Sequence, residues 1–384
     1  MRERTITRRR ALAISATVLL AGCQVIPKTG PEPVTPAPEP TSSTLPTDTT
    51  HHRVALLVPL SGSNSEVGQA IANAATMALL DNNADNLRIT TYDTATGADS
   101  AAARAISDGN KLILGPLLGD NVTAILSRAR PADVPLISFS NDTSVAARDV
   151  FVMGISPDQS ITRAVTYARD TGSSRFAALI PNGTYGQRAE YAFRYAVEGN
   201  GGTIVASESY DRGNTSILSA VQRLRSKGGF DTVLIADGAR LSASAAGSLR
   251  PTGGTSPRLL GTELWSGEAG VANSAAMSGA LFATVSDGRF GRFASSYRDR
   301  FGATPHRIAT LGYDAVLLTL RIARDWTPGR DFPTSMMRAS GGFVGLDGPF
   351  RFRRDGVVER AMEVRQVGQG RIDIVSPAPT TFDD

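Results

Sequence analysis

The chain has 384 residues, of which 40 are Lys or Arg and 36 are Asp or Glu, giving a net charge of +4. The first ten residues, MRERTITRRR, carry five arginines and one glutamate, so the remainder is close to neutral and gives no reason to expect a nucleic-acid partner. Hydrophobic residues make up 41% of the chain, enough for the cores of two lobes, and the single cysteine excludes an internal disulfide.

The amino terminus predicts a lipoprotein signal peptide over residues 1–22. Its basic first ten residues precede an uncharged apolar stretch at 11–21, which is too short to span a bilayer. Residues 20–23, LAGC, match the bacterial lipobox, whose small residues admit the peptidase that cleaves before the cysteine. We therefore expect lipid on Cys23. Residues 7–9 (TRR) also fit part of a twin-arginine motif, so export by the Sec or the twin-arginine route stays open.

Residues 23–52 are expected to form a lipidated, disordered tether. From Pro27 to Thr50 the sequence is rich in Pro, Thr, Ser and Glu, with only Val34 and Leu45 as large apolar residues. Such a segment cannot bury enough surface to offset the entropy of ordering it. In polyproline form the tether would reach on the order of 90 Å, which suggests a body that acts away from its anchor.

From Arg53 onward, apolar runs alternate with amphipathic segments. The predicted strands are residues 54–60, 87–92, 111–114, 135–139, 176–180, 203–210, 232–236 and 258–260. The predicted helices are residues 69–80, 98–107, 121–129, 159–169, 187–197 and 217–225. Two such series predict an α/β fold of two doubly wound parallel-sheet lobes.

Ligands bind beyond the carboxyl ends of the strands in sheets of this kind. In the first lobe those ends carry Ser61, Ser140 and Asn141, and in the second they carry Tyr185 and Glu263. These polar residues would suit a cleft between the lobes. Turns are polar in most proteins, so a purely structural role for each of them stays open.

The ordered set of motifs resembles the type I periplasmic binding proteins of the leucine/isoleucine/valine class. The motifs are VALLVPLSGSNSEVGQAIANAATMAL, LILGPLLGDNV, VPLISFSNDTS, IPNGTYGQRAEYAF, LGYDAVLL and GLDGPFRFRRDGVVERAMEVRQV. The similarity covers roughly residues 53–375. Within this class the chain is most similar to the penicillin-binding-protein activator lipoproteins, because of the lipobox, the long tether, and the phrases ILGPLLGDNV and GTELWSG.

The resemblance implies a domain at 53–384 in which the chain crosses between lobes near 154–157, near 284–287 and within 326–343. Lobe one would then comprise about 53–155 and 286–327, and lobe two about 156–285 and 328–384.

The resemblance also implies tentative ligand-binding roles. Glu263 would pair with a ligand ammonium and Tyr185 would close over the ligand, while Ser61, Ser140 and Asn141 would hold a carboxylate. Leu117 and Leu118 stand where amino-acid binders carry Ser or Thr, and leucines cannot donate to a carboxylate. An occluded cleft is therefore favoured over an amino-acid site.

Other residues have two possible roles. Trp265 and Trp326 are either core residues or anchors for a partner. Arg351, Arg353 and Arg354 alternate with phenylalanines in a predicted hairpin, where they either guard a solvated edge or dock an acidic protein.

Catalysis is not predicted. The three histidines offer neither metal-ligand spacing nor a nucleophile triad, and no phosphate-binding or dinucleotide motif is present. We expect no enzyme activity, no metal and no cofactor.

The function expected from the resemblance is an outer-membrane lipoprotein on the periplasmic face that binds and activates a penicillin-binding protein, a peptidoglycan synthase. Gln24 favours the outer membrane, since lipoproteins kept at the inner membrane usually carry Asp there. The alternative is a solute-binding lipoprotein that delivers an amino acid or related small molecule to an ABC transporter.

Overall fold

The structure is a computed structural model that describes residues 48, 50–213, 215–250 and 256–382. The predicted signal peptide, Cys23 and most of the predicted tether lie outside the described residues. All of the described residues belong to one compact unit, Leu45–Asp384. No helix in this described part is both long enough and apolar enough to cross a membrane.

Strands and helices alternate through most of the chain. The strands are β1 His52–Val58, β2 Leu87–Asp93, β3 Leu112–Leu114, β4 Leu136–Ser138, β5 Val150–Val152, β6 Arg175–Pro181, β7 Thr203–Tyr210, β8 Thr232–Ile235, β9 Arg258–Gly261, β10 Leu281–Val285, β11 Phe343–Gly345, β12 Gly348–Phe352, β13 Val358–Arg360, β14 Met362–Val367 and β15 Ile372–Ser376. The α-helices are α1 Ser65–Asp81, α2 Ala98–Ser107, α3 Asp120–Ala129, α4 Pro157–Asp170, α5 Thr184–Gly199, α6 Ser216–Lys227, α7 Ala239–Leu249, α8 Ala269–Asn273, α9 Phe290–Phe301 and α10 Thr310–Ala323.

The first lobe is built on a parallel sheet of five strands in the order β2-β1-β3-β4-β5. Strand β1 is an inner strand between β2 and β3, and its alternate side chains point to opposite faces of the sheet. Leu56 packs with α1 and α10 in one core, whereas Leu57 packs with α2 and α3 in another. Helices on both faces explain why this strand is a continuous apolar run.

The second lobe is built on a seven-stranded sheet in the order β15-β14-β10-β9-β8-β6-β7. Strands β6 to β10 are parallel to one another, and β14 and β15 add an antiparallel edge. Helices α6 and α7 cover one face and α4 and α5 the other. The architecture confirms the predicted pair of doubly wound α/β lobes.

Both lobes use a glycine to bring a helix against the end of a strand. A Cβ on Gly68 of α1 would lie 1.8 Å from the Pro59 carbonyl oxygen, and one on Gly186 of α5 would lie 1.6 Å from the Pro181 carbonyl oxygen. No side chain can occupy either position without moving the backbone. Helices α1 and α5 therefore begin close to the carboxyl ends of the strands that precede them, β1 and β6.

The third crossing between lobes differs from the prediction. Strands β11 to β13 form a small antiparallel sheet whose Phe350, Phe352 and Val358 are buried in the first lobe's core. Phe352 meets Phe151 of β5 edge-on, with ring centroids 5.3 Å apart. The chain joins the second sheet only at Met362, in β14. The predicted crossing within 326–343 is therefore wrong, because the alternating phenylalanines complete the first lobe.

Candidate functional site: the cleft between the lobes

An arginine from the second lobe bridges to the first lobe at the carboxyl edge of its sheet. Arg188, in the first turns of α5, donates through Nη1 to the Asn141 carbonyl oxygen at 3.0 Å and to Asn141 Oδ1 at 3.2 Å. Its Nη2 lies 3.5 Å from a carboxylate oxygen of Asp142. Asn141 and Asp142 follow β4 directly, so these contacts join the two lobes across the edge where a ligand would enter.

A second bond crosses between the lobes nearby. Thr143 Oγ1 donates to Asp158 Oδ2 at 3.3 Å, and Asp158 lies in the first turn of α4. Burial raises the pKa of Asp158, opposed by its bond from Thr143 and by the charge of Arg188. Gln159, the next residue of α4, also donates to the Val358 carbonyl oxygen of β13 and accepts from the Arg360 backbone N–H. These contacts together form one polar bridge between the lobes.

Tyr185 and Glu263, both predicted as site residues, are brought together within the second lobe. The Tyr185 hydroxyl donates to Glu263 Oε1 at 3.0 Å and accepts from Thr262 Oγ1, with 2.9 Å between the oxygens. Burial, together with the charge of Glu263, raises the pKa of Tyr185 well above its ordinary value. The Arg212 guanidinium lies 5.2 Å from the centre of the tyrosine ring, in cation–π range.

One oxygen of Glu263 is left without a partner. Its Oε2 is buried and accepts no hydrogen bond from any described residue. Burial raises the pKa of Glu263 to about 7, because the charged form loses its hydration. Its own backbone N–H and the Tyr185 hydroxyl offset only part of that loss. Glu263 can therefore be a neutral, protonated carboxyl in the empty site, and it can become a carboxylate when an ammonium group lies next to it.

The three other predicted positions are all hydrogen-bonded, two of them within their own lobe. Ser61 Oγ donates to Asp93 at 2.8 Å, and Ser140 Oγ accepts from the Asp142 backbone N–H at 3.0 Å. Asn141 is held by Arg188, as described above. The structure therefore gives Ser61 and Ser140 roles in shaping turns at the strand ends.

Several polar residues near the cleft were not predicted. Arg188 and Asp158 make the interlobe bridge, and Thr262 orders the tyrosine. Arg188 lies three residues after Tyr185, and residues at this spacing share one face of a helix. The spacing could therefore have indicated that Arg188, like Tyr185, faces the cleft. The described residues include no group of three or more His, Cys, Asp or Glu placed to hold a metal ion.

Replacing Arg188 with alanine should loosen the contact between the lobes. Hydrogen bonds to charged groups contribute about 1.5–3 kcal/mol each, so we expect the free energy of unfolding to fall by about 1–3 kcal/mol. The radius of gyration from small-angle scattering should rise as the lobes separate. Arg194→Ala is the matched control, because Arg194 is exposed on the same helix. An unchanged radius for Arg188→Ala would contradict the bridging role.

The pH dependence of stability should report the titration of Glu263. Its pKa is 4.5 in the unfolded chain and about 7 when folded. The unfolded state therefore releases its proton first as the pH rises. The stability present below pH 4.5 is lost progressively up to about pH 7, by about 3 kcal/mol. Urea titrations at several pH values give the free energy of unfolding as a function of pH. Between pH 4.5 and 7 this free energy should fall less steeply for Glu263→Gln than for the wild type. An equal pH dependence for the two proteins would contradict the assignment.

The family model for periplasmic binding proteins matches residues 52–371. An uncharacterised protein of Rickettsia prowazekii is 27% identical over 173 residues, which is 44% of this chain and 46% of that protein. The penicillin-binding protein activator LpoA of Escherichia coli is 28% identical over 131 residues, which is 34% of this chain and 19% of LpoA. The matched segment thus spans less than half the length of these two relatives.

Solved structures agree with the family match. A protein described as a branched-chain amino acid ABC transporter of Rhodospirillum rubrum has the same fold, with a TM-score of 0.74 at 20% identity. The match covers 85% of this chain and 100% of that one. Because the family model spans most of the sequence and the fold agrees, this chain belongs to the periplasmic binding protein family.

Proposed function

We propose that this chain is a non-catalytic, lipid-anchored protein of the outer membrane that regulates peptidoglycan synthesis by binding and activating a penicillin-binding protein. The observation that carries the proposal is the bridged cleft. Arg188 holds Asn141 and Asp142 across the lobes, so polar groups that a ligand would need are already bonded to one another. A body whose cleft is closed in this way acts through its outer surface.

The similarity to the activator LpoA supports this proposal over other roles for the same fold. Matches at 26–29% identity recur in LpoA proteins of Photobacterium, Escherichia and Mannheimia. The predicted lipid on Cys23 and the tether at 23–52 fit it as well. An anchor at the outer membrane requires a long connection if the body is to reach an enzyme on the inner membrane.

The direct test uses the purified full chain in detergent micelles and the bifunctional peptidoglycan synthases of its host. The proposal predicts saturable binding and faster glycan polymerisation or cross-linking on lipid-linked precursor. Cys23→Ser is the matched control, because it should retain both effects in solution while losing membrane fractionation in cells. If no synthase of the host is bound or stimulated, the proposal fails.

A second function is favoured by one specific observation. Glu263 Oε2 is buried without a hydrogen-bond partner and is chemically suited to an ammonium group. A solute-binding lipoprotein that delivers an amino acid or a related small molecule to an ABC transporter would use it in this way. That function requires the Arg188 bridge to open and the lobes to close again around a ligand.

A further inference from the structure

We propose that a groove between helices α4 and α5 of the second lobe and the β12–β13 hairpin of the first lobe is a docking surface for an acidic segment of a protein partner. This groove, here called the tyrosine groove, lies between α4, α5, the β12–β13 hairpin and the C-terminal tail, with a volume of about 480 Å³. Its lining includes Tyr191, Tyr195, Met362, Pro379 and Phe382. The inference rests on the proposed function, because it supplies the surface that a partner enzyme would contact.

Two tyrosines form one wall of the groove and are left largely in water. Tyr191 is 72% exposed and Tyr195 is 68% exposed, the highest fractions among the large hydrophobic residues that the structure describes. They are four residues apart on α5, and their rings are nearly parallel, with centroids 6.5 Å apart. Tyrosine combines apolar area with few rotatable bonds, and it is enriched where protein interfaces are buried. A stacked, exposed pair therefore marks a surface that a partner covers.

The charges along the groove favour an acidic partner. Its lining carries the half-buried Arg163 and the exposed Arg353, with Arg360 buried, and the carboxylates of Asp158 and Glu359. Both carboxylates already have partners in the protein. Glu359 pairs with Arg351 of β12 at 2.8 Å. Asp158 accepts a hydrogen bond from Thr143 at 3.3 Å. A segment bearing carboxylates thus meets Arg163, which donates to the neutral Met362 carbonyl and Ser376 hydroxyl, and Arg353, which it would share with Asp355.

The turn of the hairpin adds a cation that is available to a partner. Arg354 is exposed and makes no hydrogen bond or ion pair with any residue that the structure describes. Its neighbour Arg353 lines the groove while pairing with Asp355 at 2.9 Å. Of the two roles open to these hairpin arginines, docking of an acidic protein is the one that this placement supports.

The chain's own tail shows which side-chain chemistry the surface accepts. Phe382 lies in the groove, and the guanidinium of Arg351 sits 5.0 Å from the centre of its ring. The groove thus accepts an aromatic ring beside the hairpin arginines, whose positive charge would favour carboxylates next to that ring. We infer that the partner segment carries an aromatic or large apolar side chain flanked by Asp or Glu.

The test compares binding of the full chain, in detergent micelles, to the host's purified peptidoglycan synthases at low and high salt. Tyr191→Ala combined with Tyr195→Ala should weaken binding at least tenfold. Arg354→Glu should weaken it several-fold and reduce its salt dependence. Leu80→Ala is the matched control, because Leu80 is a 62% exposed apolar residue on the first lobe. It should bind as the wild type does.

The possible outcomes separate this inference from the proposed function. If the wild type binds a synthase and the tyrosine double variant binds it equally well, the docking surface is overturned while the proposed function stands. If the wild type binds no synthase, the proposed function fails, and a fluorescent peptide with one phenylalanine between glutamates becomes the probe. Peptide binding that requires the tyrosines supports the surface, and no binding overturns it. Tyrosine-dependent binding to phosphatidylglycerol vesicles without peptide binding would also overturn it.

Discussion

Replacing Asp347 with alanine should lower the free energy of unfolding by about 3–5 kcal/mol, the usual effect of breaking a fully buried ion pair. Asp347 is completely buried in the turn before β12. It accepts a hydrogen bond from Arg307 at 2.6 Å and another from Thr310 at 2.9 Å, and Arg360 lies 3.9 Å away. Without the carboxylate, two buried guanidinium groups lose their nearest negative charge.

Urea-induced unfolding, followed by circular dichroism, measures this effect. Asp373→Ala is the control, because Asp373 pairs with Arg371 at 2.8 Å while both side chains are at least half exposed. Water and salt screen such a pair, so we expect the control to unfold like the wild type. If Asp347→Ala also unfolded like the wild type, the ion pairs of Asp347 with Arg307 and Arg360 would not stabilise the fold.

Trp265→Ala should lower the free energy of unfolding by a similar amount, about 3–5 kcal/mol, by leaving a cavity in the second lobe. The indole is fully buried and packs on Phe282, with ring centroids 5.7 Å apart. Its Nε1 donates to the Asp237 carbonyl oxygen at 2.9 Å and to Ser242 Oγ at 3.0 Å. The cavity and the loss of these two bonds both destabilise the fold.

This substitution also decides between the two roles considered for Trp265. A core residue lowers stability when truncated and leaves partner binding unchanged at temperatures where the protein stays folded. Truncating an interface anchor would instead weaken partner binding and leave the stability unchanged. Ile374→Ala is the control, because Ile374 is 56% exposed and its loss creates no cavity. Loss of synthase binding by Trp265→Ala without loss of stability would contradict the core assignment.

The βα units could be predicted from the sequence because their signals are local. The apolar run at 54–60 and the helix at 98–107 correspond to β1 and α2, with shifts of no more than two residues. Strand β5, Val150–Val152, was missed because three residues carry too little pattern to distinguish a strand from a loop. Helices α7 and α9 were also missed. Small residues in α7, such as Ala245 and Ala246, give a weak apolar period although they are buried.

The site was predictable in part for the same reason. The sequence could place Tyr185 and Glu263 at the same edge of the second sheet because each follows a recognisable strand, and the structure brings their side-chain oxygens to 3.0 Å. Their roles in binding stay a prediction. The bond between Arg188 and Asn141 could not be predicted, because it depends on how two separately folded sheets face each other. Sequence spacing within one lobe carries no information about that orientation. The third lobe crossing was predicted too early in the chain, because the sequence of a β-hairpin does not show which of two cores buries its phenylalanines.

We propose that the cleft is held by its own side chains and that the protein acts through its surface. A thermal-shift screen of the full chain against amino acids and small aromatic acids measures whether the cleft binds a ligand. We expect no change in Tm with any compound. A ligand present at 100 times its Kd would stabilise a solute-binding protein by about 2.7 kcal/mol. A saturable rise in Tm that is abolished by Glu263→Ala would contradict the claim and establish the cleft as a binding site.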